Sequence, residues 1–211
     1  MNVTQRNSLH LFPEVFLNEY LEHDLDTTNQ NFEQILKLIG SHEILIGAKY
    51  HVRLNDSNSS RHNVIIHYPE NSFWAVIDKK NYVPVGEQDL PYFPDDPKKF
   101  DPINHLFFKQ SFDLQHNNIV CHPLICYDSS FRQWKRAFDS SLNSVTIVFS
   151  EEVFFQNSFG QFLYLHHSVD RALELKSNVI RVSNGDKSGY ILPNGNFYKF
   201  GKIQEYNVPI Y

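Results

Sequence analysis

The sequence predicts an α/β protein built on a layered sheet, and three observations predict it. Apolar runs of strand length recur along the chain. Amphipathic helical stretches fall between them, and turn-forming clusters join the remaining strands as hairpins. With 211 residues and 41% hydrophobic content, the chain can bury one sizeable core, and it is read as a single domain over 1–211.

In chain order, "SLHLF" reads first, as a short buried strand ending at Pro13. "TNQNFEQILKLIGS" puts Phe32, Ile35, Leu36 and Ile39 on one helical face, with Gly40 as a stop. "HEILIGAKYHV" from His42 is a buried strand. "NVIIHY" and "SFWAVID" flank "PENS", which is hairpin-turn chemistry. From Val83 runs the long Pro-rich segment "VPVGEQDLPYFPDDPKKFDPINHLF", a length that marks a functional or unstructured loop. "NNIVCHPLIC" and "NSVTIVF" are buried strands, separated by a helical stretch "SSFRQWKRAFDSSL" with Ser129 or Ser130 as N-cap. "GQFLYLHHSVDRALELKS" is the longest helix, with Phe162, Leu165, Val169, Ala172 and Leu173 at helical spacing. Tyr164, His167 and Arg171 share another face of it, which suits a subunit contact. "NVIRVSNG" and "GYILPNGNFYKF" close the chain, the latter holding an "NG" turn.

Charge and cysteine content exclude several classes. Lys plus Arg is 19 and Asp plus Glu 24, a net charge of −5. That mild acidity gives no electrostatic pull toward nucleic acid or an anionic membrane. The start, "MNVTQRNSLHLF", has no apolar signal region, and no run of apolar residues is long enough for a membrane span. Two cysteines, Cys121 and Cys126, are too few for a disulfide framework. Five positions apart on one strand, they face opposite sides and should not pair. Free thiols fit a reducing compartment, so the chain is read as soluble and cytoplasmic.

Cys126 is the residue with chemical promise. It stands where a buried strand gives way to a helix, whose N-terminal dipole lowers a thiol pKa. A free thiol with pKa about 8.5 is only about 3% thiolate at pH 7, so a reacting cysteine needs a base or such a field. Position alone leaves Cys126 either a packing residue or a nucleophile. None of the 11 histidines stands at a telling spacing from it, and His166–His167 has no carboxylate or cysteine at ligand spacing, so no metal site is expected. A carboxylate and a lysine are the remaining activators. Glu14 follows one strand in "FPE", and Lys79 ends another in "IDKK", where reacting groups gather in α/β sheets.

Taken in order, "LFPE", "IDKKNYVPVGE", "LICYDSSFRQWKR", "RALE" and "VSNGDKSGYILPNG" resemble the carbon–nitrogen hydrolase, or nitrilase, superfamily over about positions 9–197. The resemblance places the family's glutamate on Glu14, its lysine on Lys79 rather than Lys80, and its cysteine on Cys126, within "C-[YW]-[DE]…F….R" as Cys126, Tyr127, Asp128, Phe131 and Arg136. A second, lysine-supporting glutamate falls on Glu87. "DKKNYVPVGE" and "RALE" are most similar to the nitrilase domain of apolipoprotein N-acyltransferases. Asp128 stands where that branch has glutamate, and "SEEVFF" lacks its tryptophan.

The resemblance implies an α-β-β-α sandwich, commonly dimeric through sheet-flanking helices. Only "MNVTQRNS" precedes the "PE" strand, so a version shortened at the N-terminus, with a homodimer covering its edge, is expected. It further implies amide C–N hydrolysis or acyl transfer of a small-molecule amide or acyl substrate through a Cys126 thioester. Glu14 acts as base, Lys79 and the Tyr127 N–H stabilise the oxyanion, Glu87 holds Lys79, and Asp128 orients the turn. No cofactor or metal is required. The competing class is a catalytically inactive nitrilase-like protein used for binding or assembly.

Overall fold

Period-two burial sets the architecture. In the computed structural model, residues 9–22, 34, 37, 43–55, 58–68, 75–81, 83, 112–114, 119–131, 144–155 and 158–201 are described. Among them two sheets form. The first has the order β1 (Leu9–Glu22), β2 (Glu43–Asn55), β3 (Asn58–Tyr68), β4 (Ala75–Asp78). Only its β1–β2 pair is parallel.

The second sheet has six strands. They are β5 (Phe112–Leu114), β6 (Ile119–Ile125), β7 (Ser144–Ser150), β8 (Val179–Ser183), β9 (Gly189–Ile191) and β10 (Phe197–Lys199), side by side in chain order. The central trio β6, β7 and β8 is parallel and the flanking pairs are antiparallel.

Alternate residues face alternate layers. Leu45, Ile65 and Ile77 of the first sheet meet Cys121, Ile125, Val145, Ile147 and Phe149 of the second in one core. The opposite parity, Leu124, Val148, Val179 and Ile191, packs on Ala172 of helix α1 (Phe159–Leu175). Helix α1 is capped by Ser158, whose hydroxyl accepts from the Gly160 N–H at 3.2 Å, and it ends on Lys176 in the left-handed region.

Most predicted strands are present, with informative differences. β1 does not end at Phe12: its pairing slips between Phe12 and Leu17 and then resumes. Pro13 has no N–H to give the ladder, which is why the strand bulges there instead of running straight. The "NG" turn stands as expected, with Gly195 at φ 85° and its N–H bonded to the Leu192 carbonyl at 2.8 Å. β2 and β3 stand where strands were expected, but their pairing as one long hairpin and the short β5 were not anticipated.

Of the predicted helix 28–41, Gln34 and Lys37 are described, and both are helical. Of the helix expected over 129–142, Ser129, Ser130 and Phe131 are described, and none of the three is α-helical. Cys126–Ser130 is a five-residue 3-10 turn, and Phe131 is extended; residues 132–143 lie outside the described set.

The faces of α1 need the largest correction. Gln161, Tyr164, Ser168, Arg171 and Ala172 are its buried residues, whereas Phe162 and Leu173, expected against the sheet, are about half exposed. Tyr164 and Arg171, expected on a subunit face, are both buried within the chain. Arg171 Nη1 is held there by the Phe131 carbonyl at 2.9 Å and by Glu174 at 2.7 Å. Ser168 on the same stripe is bonded to the Tyr164 carbonyl and to Arg181, so the stripe's main polar groups face inward with partners.

Candidate active site

The bulge in β1 delivers Glu14. Opposite it in β2 lies Gly47, against which the Pro13–Glu14 backbone packs directly. A Cβ on Gly47 would sit 2.1 Å from the Pro13 carbonyl oxygen and 2.5 Å from the Glu14 Cα. The carboxylate thus turns into the seam between the sheets, where it is 1% exposed.

Both its oxygens are engaged. Oε1 accepts from the Lys79 ammonium at 2.8 Å and from Asn63 Nδ2 at 3.4 Å. Oε2 accepts from the Glu151 N–H at 3.0 Å. Glu151 directly follows β7, so one side chain ties the first sheet to the second.

Lys79 is the first residue past β4 and is also 1% exposed. Its own N–H donates to the Asn63 carbonyl at 2.9 Å. Asn63 therefore holds the lysine backbone with one group and the Glu14 carboxylate with another. The neighbouring Lys80 is exposed, so the register that favoured Lys79 places the buried cation.

Cys126 closes β6 with φ 49°, a left-handed conformation that a non-glycine residue adopts only when its surroundings impose it. Asp128 imposes it. This carboxylate, 2% exposed, accepts from the Ile125 N–H at 3.2 Å, the Asn81 N–H at 2.7 Å, Asn81 Nδ2 at 3.0 Å and the Lys80 N–H at 3.2 Å. It locks the cysteine turn to the segment that follows Lys79. Burial pushes its pKa up, against the opposing pull of those hydrogen bonds. The Ser129 hydroxyl adds a bond to the Cys126 carbonyl at 2.8 Å. Tyr127 packs edge-on against Phe131, centroids 5.0 Å apart.

Neither cysteine is in a disulfide, and both are buried. Cys121 lies in the inter-sheet core, and burial and then the Glu43 carboxylate raise its pKa well above the ordinary value. Cys126 is instead surrounded by polar groups. The Ser150 hydroxyl lies 3.8 Å from its sulfur, and the Tyr164 phenol hydrogen-bonds to it. The charges of Cys126, Lys79 and Glu14 all act on Tyr164, so the three residues gather around one side chain of α1.

Sequence reasoning named Glu14, Lys79, Cys126, Tyr127 and Asp128, and the structure brings them to one end of the inter-sheet seam. Glu87 lies outside the described residues. Sequence reasoning missed Asn63, Ser150, Tyr164 and Arg181. The available signal for Arg181 was its parity: on β8 it shares the helix-facing side with Val179, and an arginine there must be paired. Among the described residues, no cluster of histidine, cysteine or acidic side chains has the form of a metal site.

Comparison with known proteins fits this geometry. No family model matches the chain. The apolipoprotein N-acyltransferases of Rickettsia bellii and Rickettsia prowazekii are 31% and 32% identical to it over 94 residues, 44% of this chain but only 19% of theirs. Solved structures match nearly all of it. Nit3 of Saccharomyces cerevisiae, a nitrilase superfamily member, has a TM-score of 0.58 at 15% identity, covering 94% of this chain and 74% of that one. A CN-hydrolase superfamily protein of Xanthomonas campestris gives 0.57 at 14%, covering 90% and 72%. A Nesterenkonia amidase from the same superfamily gives 0.53 at 13%, covering 92% and 73%. The superfamily placement drawn from the motifs agrees with these matches, and the fold is the nitrilase-like α/β sandwich. Among the described residues, no helix is long and apolar enough to cross a membrane.

Proposed function

We propose, for a chain that folds as the carbon–nitrogen hydrolases do, a cysteine-dependent amide hydrolase or acyl transferase with Glu14, Lys79 and Cys126 as its reacting groups. The observation that carries this reading is the Glu14–Lys79 pair. Two side chains 65 positions apart meet at 2.8 Å, both buried, at the turn that holds a strained cysteine. Burying two charges is costly, and a core of equal volume could have been apolar. Such a pair beside a thiol has a chemical use.

Glu14 accepts the Cys126 thiol proton. The sulfur attacks the carbonyl carbon of an amide, an S–C bond forms, and the carbonyl electron pair moves onto oxygen. Lys79 and the Tyr127 N–H stabilise that oxyanion. On collapse the C–N bond breaks, and Glu14 returns its proton to the leaving amine. Water or an acceptor amine then attacks the thioester, giving up a proton to Glu14 and releasing the thiolate, which recovers it. Asp128 keeps the Cys126 turn registered on the segment after Lys79, and Glu87 is assigned the support of Lys79. The apolipoprotein N-acyltransferase match makes an acyl donor as natural a substrate as a simple amide, and the two routes share every step up to the thioester.

The test is a panel of small amides and acyl amines, with and without an added primary amine. Whole-protein mass spectrometry should find an acyl adduct on Cys126 that Cys126→Ala lacks. Products in water alone assign hydrolysis, and products that need the amine assign transfer. Turnover that survives Cys126→Ala would overturn the mechanism.

A further inference from the structure

The sulfur of Cys126 also sits on a buried polar circuit on the helix side of the second sheet. Ser150 ends β7 with its side chain fully buried. Its hydroxyl lies 3.8 Å from Cys126 Sγ and 2.9 Å from Glu152 Oε1. Glu152 is ion-paired with the Arg181 guanidinium, and neither side chain is exposed. Arg181 donates in turn to the Ser168 hydroxyl at 2.7 Å and to the Tyr164 carbonyl at 3.4 Å. The Tyr164 phenol hydrogen-bonds back to Cys126. Tyr164 thus meets this group twice, through its backbone carbonyl at Arg181 and through its phenol at Cys126.

Proton counting gives the circuit a direction. A hydroxyl has one proton and gives it to one acceptor at a time. An unpaired Glu152 carboxylate would hold the Ser150 proton outright. Arg181 neutralises that carboxylate and leaves the proton free to turn toward a negative sulfur. Burial, and after it the charge on Cys126, hold the Tyr164 phenol protonated far above neutrality, so it meets a thiolate as a donor.

We propose that Ser150 and Tyr164 hold the charge and the rotamer of the Cys126 thiolate through two hydroxyl hydrogen bonds, with Glu152 and Arg181 as positioning residues. The proposal rests on Cys126 being the nucleophile. It places thiolate stabilisation on groups apart from Glu14, which carries the proton in the proposed mechanism.

The experiment is iodoacetamide alkylation of the full chain across pH 5–10 (a range that brackets an ordinary thiol pKa of about 8.5), with each cysteine followed by peptide mass spectrometry. Cys121 serves as the internal reference. Tyr164→Phe and Ser150→Ala each remove a donor to the thiolate. Each should move the Cys126 midpoint to higher pH and slow alkylation at pH 7 about three- to tenfold, with the double variant slower still. Circular dichroism checks the fold. Should Ser150→Ala fail to fold, Tyr164→Phe, which loses a single atom, decides the matter. A folded Tyr164→Phe with the wild-type profile overturns the proposal. A wild-type Cys126 that reacts no faster than Cys121 instead overturns the nucleophile assignment itself, so the two failures are distinguishable.

Discussion

Gly47 and Glu14 share one space: the Glu14 Cα lies 2.5 Å from where a Gly47 Cβ would be. The Pro13 carbonyl is nearer still, at 2.1 Å. No rotamer change relieves this contact, because the obstructing atoms are backbone. Gly47→Ala should therefore destabilise the protein by about 2–4 kcal/mol, at or above the usual cost of overpacking. Urea unfolding measures the loss. The surviving folded fraction should show reduced turnover, since the bulge carrying Glu14 must move.

The buried pair predicts a strong non-additivity. Glu14→Gln and Lys79→Met each remove one charge of a buried ion pair and leave the other without its counter-charge, costing about 3–5 kcal/mol. The double variant removes both charges and should be more stable than the sum of the single changes requires. All three should lack turnover. Additive losses in a denaturation cycle would mean the two side chains are not coupled.

Asp128 should leave a mark on the pH dependence of stability. Its folded pKa is raised above the ordinary 3.8, so the folded state holds this proton more tightly than the unfolded chain does. The associated stability is fully present below pH 3.8 and is lost as pH rises through the folded pKa. The stability difference between wild type and Asp128→Asn should accordingly fall as pH rises above 3.8. A difference that grows over that window contradicts the sign. At neutral pH the variant should be weaker by about 1–3 kcal/mol through mismatched hydrogen bonds to Ile125, Lys80 and Asn81.

The cysteines should separate by function. With its pKa raised well above the ordinary value by burial and Glu43, Cys121 is a protonated packing group at neutral pH. Cys121→Ala should leave turnover nearly unchanged, and Cys126→Ala should abolish it while costing no more than about 1 kcal/mol of stability. Turnover assays beside thermal melts check both.

Legible in the sequence was whatever depends on local order along the chain. The strand ends carrying Lys79 and Cys126, and the break after Phe12 that precedes Glu14, are marked by apolar runs that stop. Asp128 was legible too, two positions from the cysteine. Tyr164, Ser150 and Arg181 were not. A periodicity reading expects the inward stripe of a helix to be apolar, and so it favours Phe162 and Leu173 over Tyr164 and Arg171. The inward stripe of α1 is polar because it covers polar groups from three other elements, and that juxtaposition exists only in the folded chain. Pro13 misleads for the opposite reason. It signals a strand stop, but here it makes a bulge within a longer strand.

The bond from the Glu151 N–H to Glu14 has a consequence for the life of the chain before it is folded. Neither sheet contains the whole proposed site: Glu14 and Lys79 come from the first and Cys126 from the second. Until the two sheets dock, Cys126 lacks its proposed base, so under that assignment an unfolded copy of the chain carries only an ordinary thiol.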